Sequence, residues 1–335
     1  MKNATLRQLR VFTAVARNGS VTRAAEELHL TPPAVSMQLK ELESDIGLPL
    51  FDRTGRAVKL TLVGEHLVVY AQRILSTLRE AEGAVARLRG LAGGTLVIGM
   101  VSTAKYFLPR LLAQFREEHP GIDFRLSLGN REALVRQLQD NEVDLAVMGR
   151  PPRELETRAE PFAAHPHAVV AASNHRLADV ESMPAAALAG EGFIVREQGS
   201  GTRSAMEQFF RDHGLRPHIV MEMASNETIK QAVIANMGLS FLSLHTLGLE
   251  LERGLLRIVA VDDLPLVRRW HIVNMSGRTL SPAAEAFRYF ILERAERFLA
   301  QLFPASLLAP HPPPPARAGK RRGAARQAGR ERTSS

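Results

Sequence analysis

A chain of 335 residues, 45% of them hydrophobic, has room for two or three domains that each bury a core. Its start joins no basic segment, apolar run and small-residue cleavage site, no apolar run reaches bilayer length, and cysteine is absent. A cytoplasmic protein without a membrane partner is expected, and disulfides, thiolate metal sites and thiol redox sensing are excluded. The net charge of +8 sits at the ends: residues 1–61 hold nine Lys/Arg against six Asp/Glu and 305–335 seven against one, whereas 91–304 hold 23 against 25.

In chain order, Leu6, Leu9, Phe12, Val15 and Ala16 recur at helical spacing until Asn18 and Gly19 stop a first helix. Ser20 caps a second, which turns Val21, Ala24, Ala25 and Leu28 inward and leaves Arg23, Glu26 and Glu27 in water. Thr31 caps a third, with Pro32 and Pro33 at its first positions, where a missing N–H costs nothing. Val35, Leu39, Leu42 and Ile46 form its core side; Pro33, Ala34, Ser36, Met37 and Lys40 form the other. Thr54 and Gly55 then turn a hairpin whose Arg53, Arg56 and Lys59 suit phosphate contacts. Two short helices across a tight turn, followed by a basic wing, make a winged helix-turn-helix over residues 1–61, with the third helix in the major groove of double-stranded DNA. The candidate DNA-binding residues are Thr31, Pro32, Pro33, Ser36, Met37, Lys40, Arg53 and Arg56. A solvated helical bundle could carry the same charges, but it requires no such order of caps, turn and wing.

From 62 to 90 no proline intervenes, and Leu67, Ala71, Ile74, Leu78, Ala81, Val85 and Leu88 alternate steps of four and three. This seam predicts a long helix that pairs with a second copy; packing on its own domain is the alternative. Gly90, Gly93 and Gly94 mark the next boundary.

Residues 91–304 read as α/β. Strands are expected at 95–100, 123–128, 144–148, 168–172, 193–195, 219–223, 239–244 and 269–275, with helices at 108–118, 132–141, 204–213 and 227–237. Small polar residues stand at three strand-to-helix junctions: Ser102, Thr103 and Lys105; Gly199, Ser200, Gly201, Thr202 and Arg203; Ser225, Asn226 and Glu227. Free N–H groups at helix starts favour an anion, and Lys105 or Arg203 would add to that. Taken singly, Ser102, Thr202 and Ser225 read as helix caps with no ligand; their occurrence at corresponding junctions is what points to a site. The segment around "GSGTR" lacks the P-loop arrangement. His165 and His167 flank Pro166 without a carboxylate or further His at ligand spacing, so no metal and no cofactor are expected. Arg150, Pro151 and Pro152 read as a hinge or cleft wall. The tail, 305–335, contains Pro312 to Pro315 and seven basic residues and reads as disordered, either attracting DNA or merely solubilising.

The stretch "FTAVARNGSVTRAAEELHLTPPAVSMQLKELESDIGLPLFDRTGRAVKLT" resembles the DNA-binding segment of LysR-type transcriptional regulators nearly end to end, and the resemblance extends to about Phe303. "VSTAKYFLPRLL", "REQGSGTR" and "SNETIKQAV" are most similar to the CbbR subgroup, which controls Calvin-cycle (carbon-dioxide-fixation) operons. The resemblance implies linker helices that pair two chains within a homodimer or homotetramer. It also implies a two-lobed effector domain like a periplasmic binding protein, with lobe I at about 95–164 and 268–303 and lobe II at about 165–267. The cleft between lobes would gather a small anionic metabolite, such as a phosphorylated sugar, phosphoenolpyruvate or NADPH, at Ser102, Thr103, Lys105, Ser200, Gly201, Thr202, Arg203, Asn226 and Glu227. RNA polymerase is the further expected partner. Many members carry Gln and Arg where this chain has Pro32 and Met37, which implies fewer polar base contacts and more shape readout. Regulation of another metabolic operon is the nearest alternative. An enzyme using the cleft is disfavoured by the lack of a nucleophile-base-orienter set, and a transport component by the DNA-binding segment.

Overall fold

The computed structural model describes residues 3–52, 58–88 and 94–309. Arg53 and Arg56 of the expected wing, and the tail from 310, lie outside the described residues.

Helices α1 (Leu6–Asn18), α2 (Val21–Leu28) and α3 (Pro32–Ile46) enclose Phe12, Val15, Ala24, Ala25, Val35, Leu39 and Leu42. Each starts on a side-chain cap: Thr5 closes a capping box with Gln8, Ser20 accepts from the Arg23 N–H, and Thr31 accepts from the Ala34 N–H. Strands β1 (Phe51–Asp52) and β2 (Lys59–Leu60) pair antiparallel. Glu43 ties this hairpin to α3, its Oε1 accepting from the Leu50 N–H at 2.8 Å.

Helix α4 (Leu62–Leu88) crosses Leu50 so closely that a Cβ on Gly64 would stand 2.2 Å from the Leu50 carbonyl oxygen. Here the expected seam divides. Leu67 and Ala71 pack with Val63, Val68 and Leu75 onto the winged domain's own core, because the three short helices leave one side open and only α4 covers it. The exposed apolar face of this half is Leu62, Val69, Tyr70 and Ile74, rotated from the expected line. Val85 and Leu88 lie outside the described side chains.

The remaining elements are β3 (Gly94–Val101), α5 (Leu108–Glu118), β4 (Ile122–Gly129), α6 (Arg131–Gln139), β5 (Leu145–Met148), β6 (Thr157–Ala172), β7 (Gly192–Arg196), α7 (Gly201–Asp212), β8 (His218–Met223), α8 (Asn226–Ile234), β9 (Ser240–Ser243), α9 (Gly248–Glu252), β10 (Leu256–Ile258), β11 (Leu266–Met275), α10 (Pro282–Leu302) and α11 (Ala305–Leu308). In lobe I, β3 lies between parallel β4 and β5, with β11 antiparallel beyond β5. One face of this sheet carries α5 and α10 over Phe115, Trp270, Phe287 and Phe290; the other carries α6 over Leu134 and Leu138. In lobe II, β7 pairs parallel with β8 and joins β9 through a bridge between Phe193 and Leu239. Phe209 and Phe210 of α7 and Ile229 and Val233 of α8 belong to two separate cores of this lobe.

The lobes share strands. β6 pairs with β11 along 157–167, then with β9 and β10 over 167–172, so one 16-residue strand passes from lobe to lobe. The sequence reading places a strand only at 168–172, although β6 begins at Thr157 and carries Pro161 and Pro166. Each stands where β6 has a single neighbour, β11, so the missing N–H breaks no ladder on the other side. Order also persists past 305: Leu307 and Leu308 of α11 pack against the lobe cores, and apolar contact holds what was expected to be the start of a disordered tail.

Candidate DNA-binding face and ligand cleft

Helix α3 presents Thr31, Pro32, Pro33, Ser36, Met37 and Lys40 to solvent, with Met37 56% exposed, while Val35, Leu39 and Leu42 are buried behind them. The Thr31 hydroxyl is committed to its cap, so Ser36 and Lys40 supply the face's polar groups.

A cavity lined by residues of both lobes opens between them. Ser102 and Thr103 follow β3 into it, Asn130 and Arg131 open α6, and Gly149 and Arg150 follow β5. From lobe II come Arg196, Ser200, Gly201 and Thr202; the floor is His165, His167 and Arg268 of the shared strands. Four arginines and no acidic residue thus line the cavity. Arg131 is held by Glu154 at 3.1 Å and Arg196 by Glu197 at 2.8 Å. Arg268 has no acidic partner among the described residues. It donates to the carbonyls of Gly201 at 2.9 Å and Gly149 at 3.3 Å, one from each lobe. Burial, aided by Arg150 and Arg131, pushes its pKa down, so a bound anion would relieve an uncompensated charge.

Of the expected effector residues, Ser102, Thr103, Ser200, Gly201 and Thr202 stand in this wall; Lys105, Arg203, Asn226 and Glu227 do not line it. Arg203 is corrected to a strut: Nε donates to Glu207 at 2.7 Å and Nη1 to Glu222 at 2.8 Å and to the Arg196 carbonyl at 2.9 Å. Two carboxylates near the start of α7 draw it away from the cleft. Asn226 accepts from Arg196 Nη1 at 2.8 Å, and Arg196 Nη2 donates to Ser102 Oγ across the lobes at 3.0 Å. Glu227 takes the Tyr106 hydroxyl at 2.5 Å, with Lys105 at 3.6 Å and Lys230 at 3.0 Å. Burial and then Glu227 push the Tyr106 hydroxyl pKa upward, keeping it a donor. Lys105, Asn226 and Glu227 therefore join the lobes on the cleft's flank, because each finds a polar partner there.

Sequence reading missed Asn130, Arg131, Arg196 and Arg268 and set His165 and His167 aside. Asn130 caps α6 at the same kind of strand-to-helix junction and could have been found there, whereas no local pattern marks Arg268, which sits in an ordinary alternating strand, "LVRRW". His165 stacks on Trp270 with ring centroids 3.7 Å apart, and its Nε2 lies 2.9 Å from Ser243 Oγ. His167 Nδ1 lies 3.0 Å from the His165 carbonyl. Burial holds His165 well below its ordinary pKa and His167 at about 3, so both rings are neutral. His165 Nδ1 and His167 Nε2 have no hydrogen-bond partner among the described residues.

Residues 6–65 match the family model described as bacterial regulatory helix-turn-helix protein, lysR family, and residues 89–296 match that of the LysR substrate binding domain. The HTH-type transcriptional regulator CfxR of Cupriavidus necator is 50% identical over 301 residues, covering 90% of this chain and 95% of that protein. The RuBisCO operon transcriptional regulator of Allochromatium vinosum is 49% identical over 300 residues, covering 90% and 99%. Among solved structures, the regulatory domain of Synechocystis CcmR in complex with 2-PG is 40% identical, with a TM-score of 0.58 over 59% of this chain and 95% of that one.

Proposed function

The chain belongs to the LysR family of transcriptional regulators, and from that premise we propose that it controls a RuBisCO (Calvin-cycle) operon in response to a small anionic metabolite bound between its lobes. Like its family it is a DNA-binding, effector-responsive, oligomeric regulator and not an enzyme. The observation that carries the effector class is a cavity lined by four arginines and no acidic residue, with Arg268 lacking any acidic partner among the described residues. A site of fixed cations in a partly water-excluded cleft selects negative charge. The 2-PG bound by the CcmR domain supports this class, and the RuBisCO operon regulator of A. vinosum supports the target. Phosphorylated sugars and phosphoenolpyruvate are of the same class.

In this reading Ser36 and Lys40 of α3, with Arg53 and Arg56 on the wing, meet the operator in the cytoplasm, and RNA polymerase is engaged beside it. The effector must bind two arrangements of the oligomer with different affinity, or it would shift nothing.

Footprint titration on the promoter of the RuBisCO operon, with and without 2-PG and phosphoenolpyruvate, tests the proposal. The parent chain is expected to protect the promoter, and one of the anions to change the protected boundary. Ser36→Ala should lower promoter affinity by about 1 kcal/mol while leaving anion affinity unchanged. No protection of this promoter would overturn the target, and indifference to every anion would overturn the effector class.

A further inference from the structure

His167 projects from the strand both lobes share and forms part of the cavity floor. Its Nδ1 faces the His165 carbonyl at 3.0 Å, and a carbonyl can only accept, so Nδ1 carries the proton of the neutral ring. Nε2 is then a bare lone pair, buried and without a partner among the described residues. A buried acceptor left unmatched is costly, and setting an oxyanion's lone pair against it costs more. The charged and titratable groups around the ring are Arg268 on β11, His165 on its own strand and His245 beyond β9, with Arg196, Arg131 and Arg150 elsewhere in the wall or beside it. Ser243 is its partner in register on β9, and Phe241 stacks on it at 5.9 Å. The arginines can satisfy the unprotonated oxygens of a ligand, but they cannot satisfy this nitrogen through it.

We infer that the effector meets His167 Nε2 with an O–H group, so that His167 makes the cleft select oxyanions that also carry a hydrogen-bond donor. The inference rests on the anion reading of the same cleft. Two sources supply such a group: an alcohol hydroxyl, or the proton of a monoprotonated phosphate.

Inorganic phosphate and sulfate separate this from simple charge attraction. At mildly alkaline pH both are dianions of nearly the same size, and only phosphate keeps an O–H. Calorimetry on the full-length chain should give phosphate roughly a tenfold advantage over sulfate, the value of one matched rather than mismatched buried hydrogen bond. His167→Phe, which keeps a flat ring beside Phe241 but removes the lone pair, should erase the preference while sulfate still binds. His167→Gln, which can offer an acceptor oxygen, should retain much of it. Equal affinity of the parent for both ions would overturn the inference and leave the anion reading standing; failure of both ions to bind would overturn both. Phosphoglycolate, which has no alcohol hydroxyl, and 3-phosphoglycerate, which has one, distinguish the sources. If the phosphate supplies the proton, phosphoglycolate affinity falls as pH rises through its second ionisation near about 6. If the alcohol supplies it, 3-phosphoglycerate binds independently of that ionisation and phosphoglycolate binds at least roughly tenfold more weakly. Tight, pH-independent binding of phosphoglycolate would overturn the inference.

Discussion

Arg268 shows how one side chain can be poorly suited to the empty protein and well suited to its ligand. Its guanidinium bridges two carbonyls, Gly149 and Gly201, without an acid, and burial pushes its pKa down. Replacing it by Met keeps an unbranched stem that fills the same space and removes a buried charge whose desolvation two carbonyls, and no acid, offset. Arg268→Met is therefore expected to leave thermal stability unchanged or raise it, and to weaken anion binding by about 2 kcal/mol, the scale of a charge-assisted hydrogen bond. Paired melting and calorimetry decide it; a variant that melts lower and binds normally would make Arg268 a structural residue.

At the scale of elements, α4 serves two surfaces at once. Its inner side closes the winged domain through Leu67 and Ala71, and the contact needs a glycine where the helix crosses Leu50. Gly64→Ala places a Cβ 2.2 Å from a backbone oxygen that cannot swing aside, so about 2 kcal/mol of stability should be lost from the winged domain. Proteolysis or melting of the variant would register it. The outer side offers Val69, Tyr70 and Ile74. Ile74→Glu would bury a carboxylate if this is where a second chain packs, and sedimentation should show smaller particles; unchanged mass would place the partner elsewhere on the helix. Periodicity made the helix legible; of the expected seam, Leu67 and Ala71 pack on the winged domain while Ile74 stays exposed. A step of four and three describes apolar spacing and does not say which apolar side its own domain takes first.

Across the whole molecule, the shared strand β6 and the turn after β9 bring together a cluster of neutral histidines. His167 is held at about 3 and His245 at about 4 by burial, against 6.5 unperturbed. His245 also needs its Nδ1 lone pair to accept the Trp270 Nε1–H at 3.1 Å. With folded values depressed, the unfolded chain takes up protons first as pH falls. Stability present above about pH 6.5 is then lost progressively toward about pH 3, on the order of 1 kcal/mol per pH unit for each ring. Thermal midpoints measured from about pH 7.5 down to about pH 5 should fall by several degrees. A flat profile would mean that these rings take up protons as readily in the fold as in the unfolded chain.

What the sequence determined by itself was everything that depends on near neighbours. The caps Ser20 and Thr31, the turn at Gly19, the exposed face of α3 and the Leu108–Glu118 helix follow from residues a few positions apart, where spacing and capping chemistry operate. It also brought Ser102, Thr103, Ser200, Gly201 and Thr202 into view, since each stands at a strand-to-helix junction. Only the tertiary structure decided which polar groups face the cavity and which face one another. Arg203 turned to Glu207 and Glu222, and Glu227 turned to Tyr106 and Lys230, because a charged side chain takes the nearest partner that offsets its desolvation. Arg268 and His167, which have no such partner, were left in the cavity wall by two strands paired over a hundred residues apart, a separation across which no local pattern reaches.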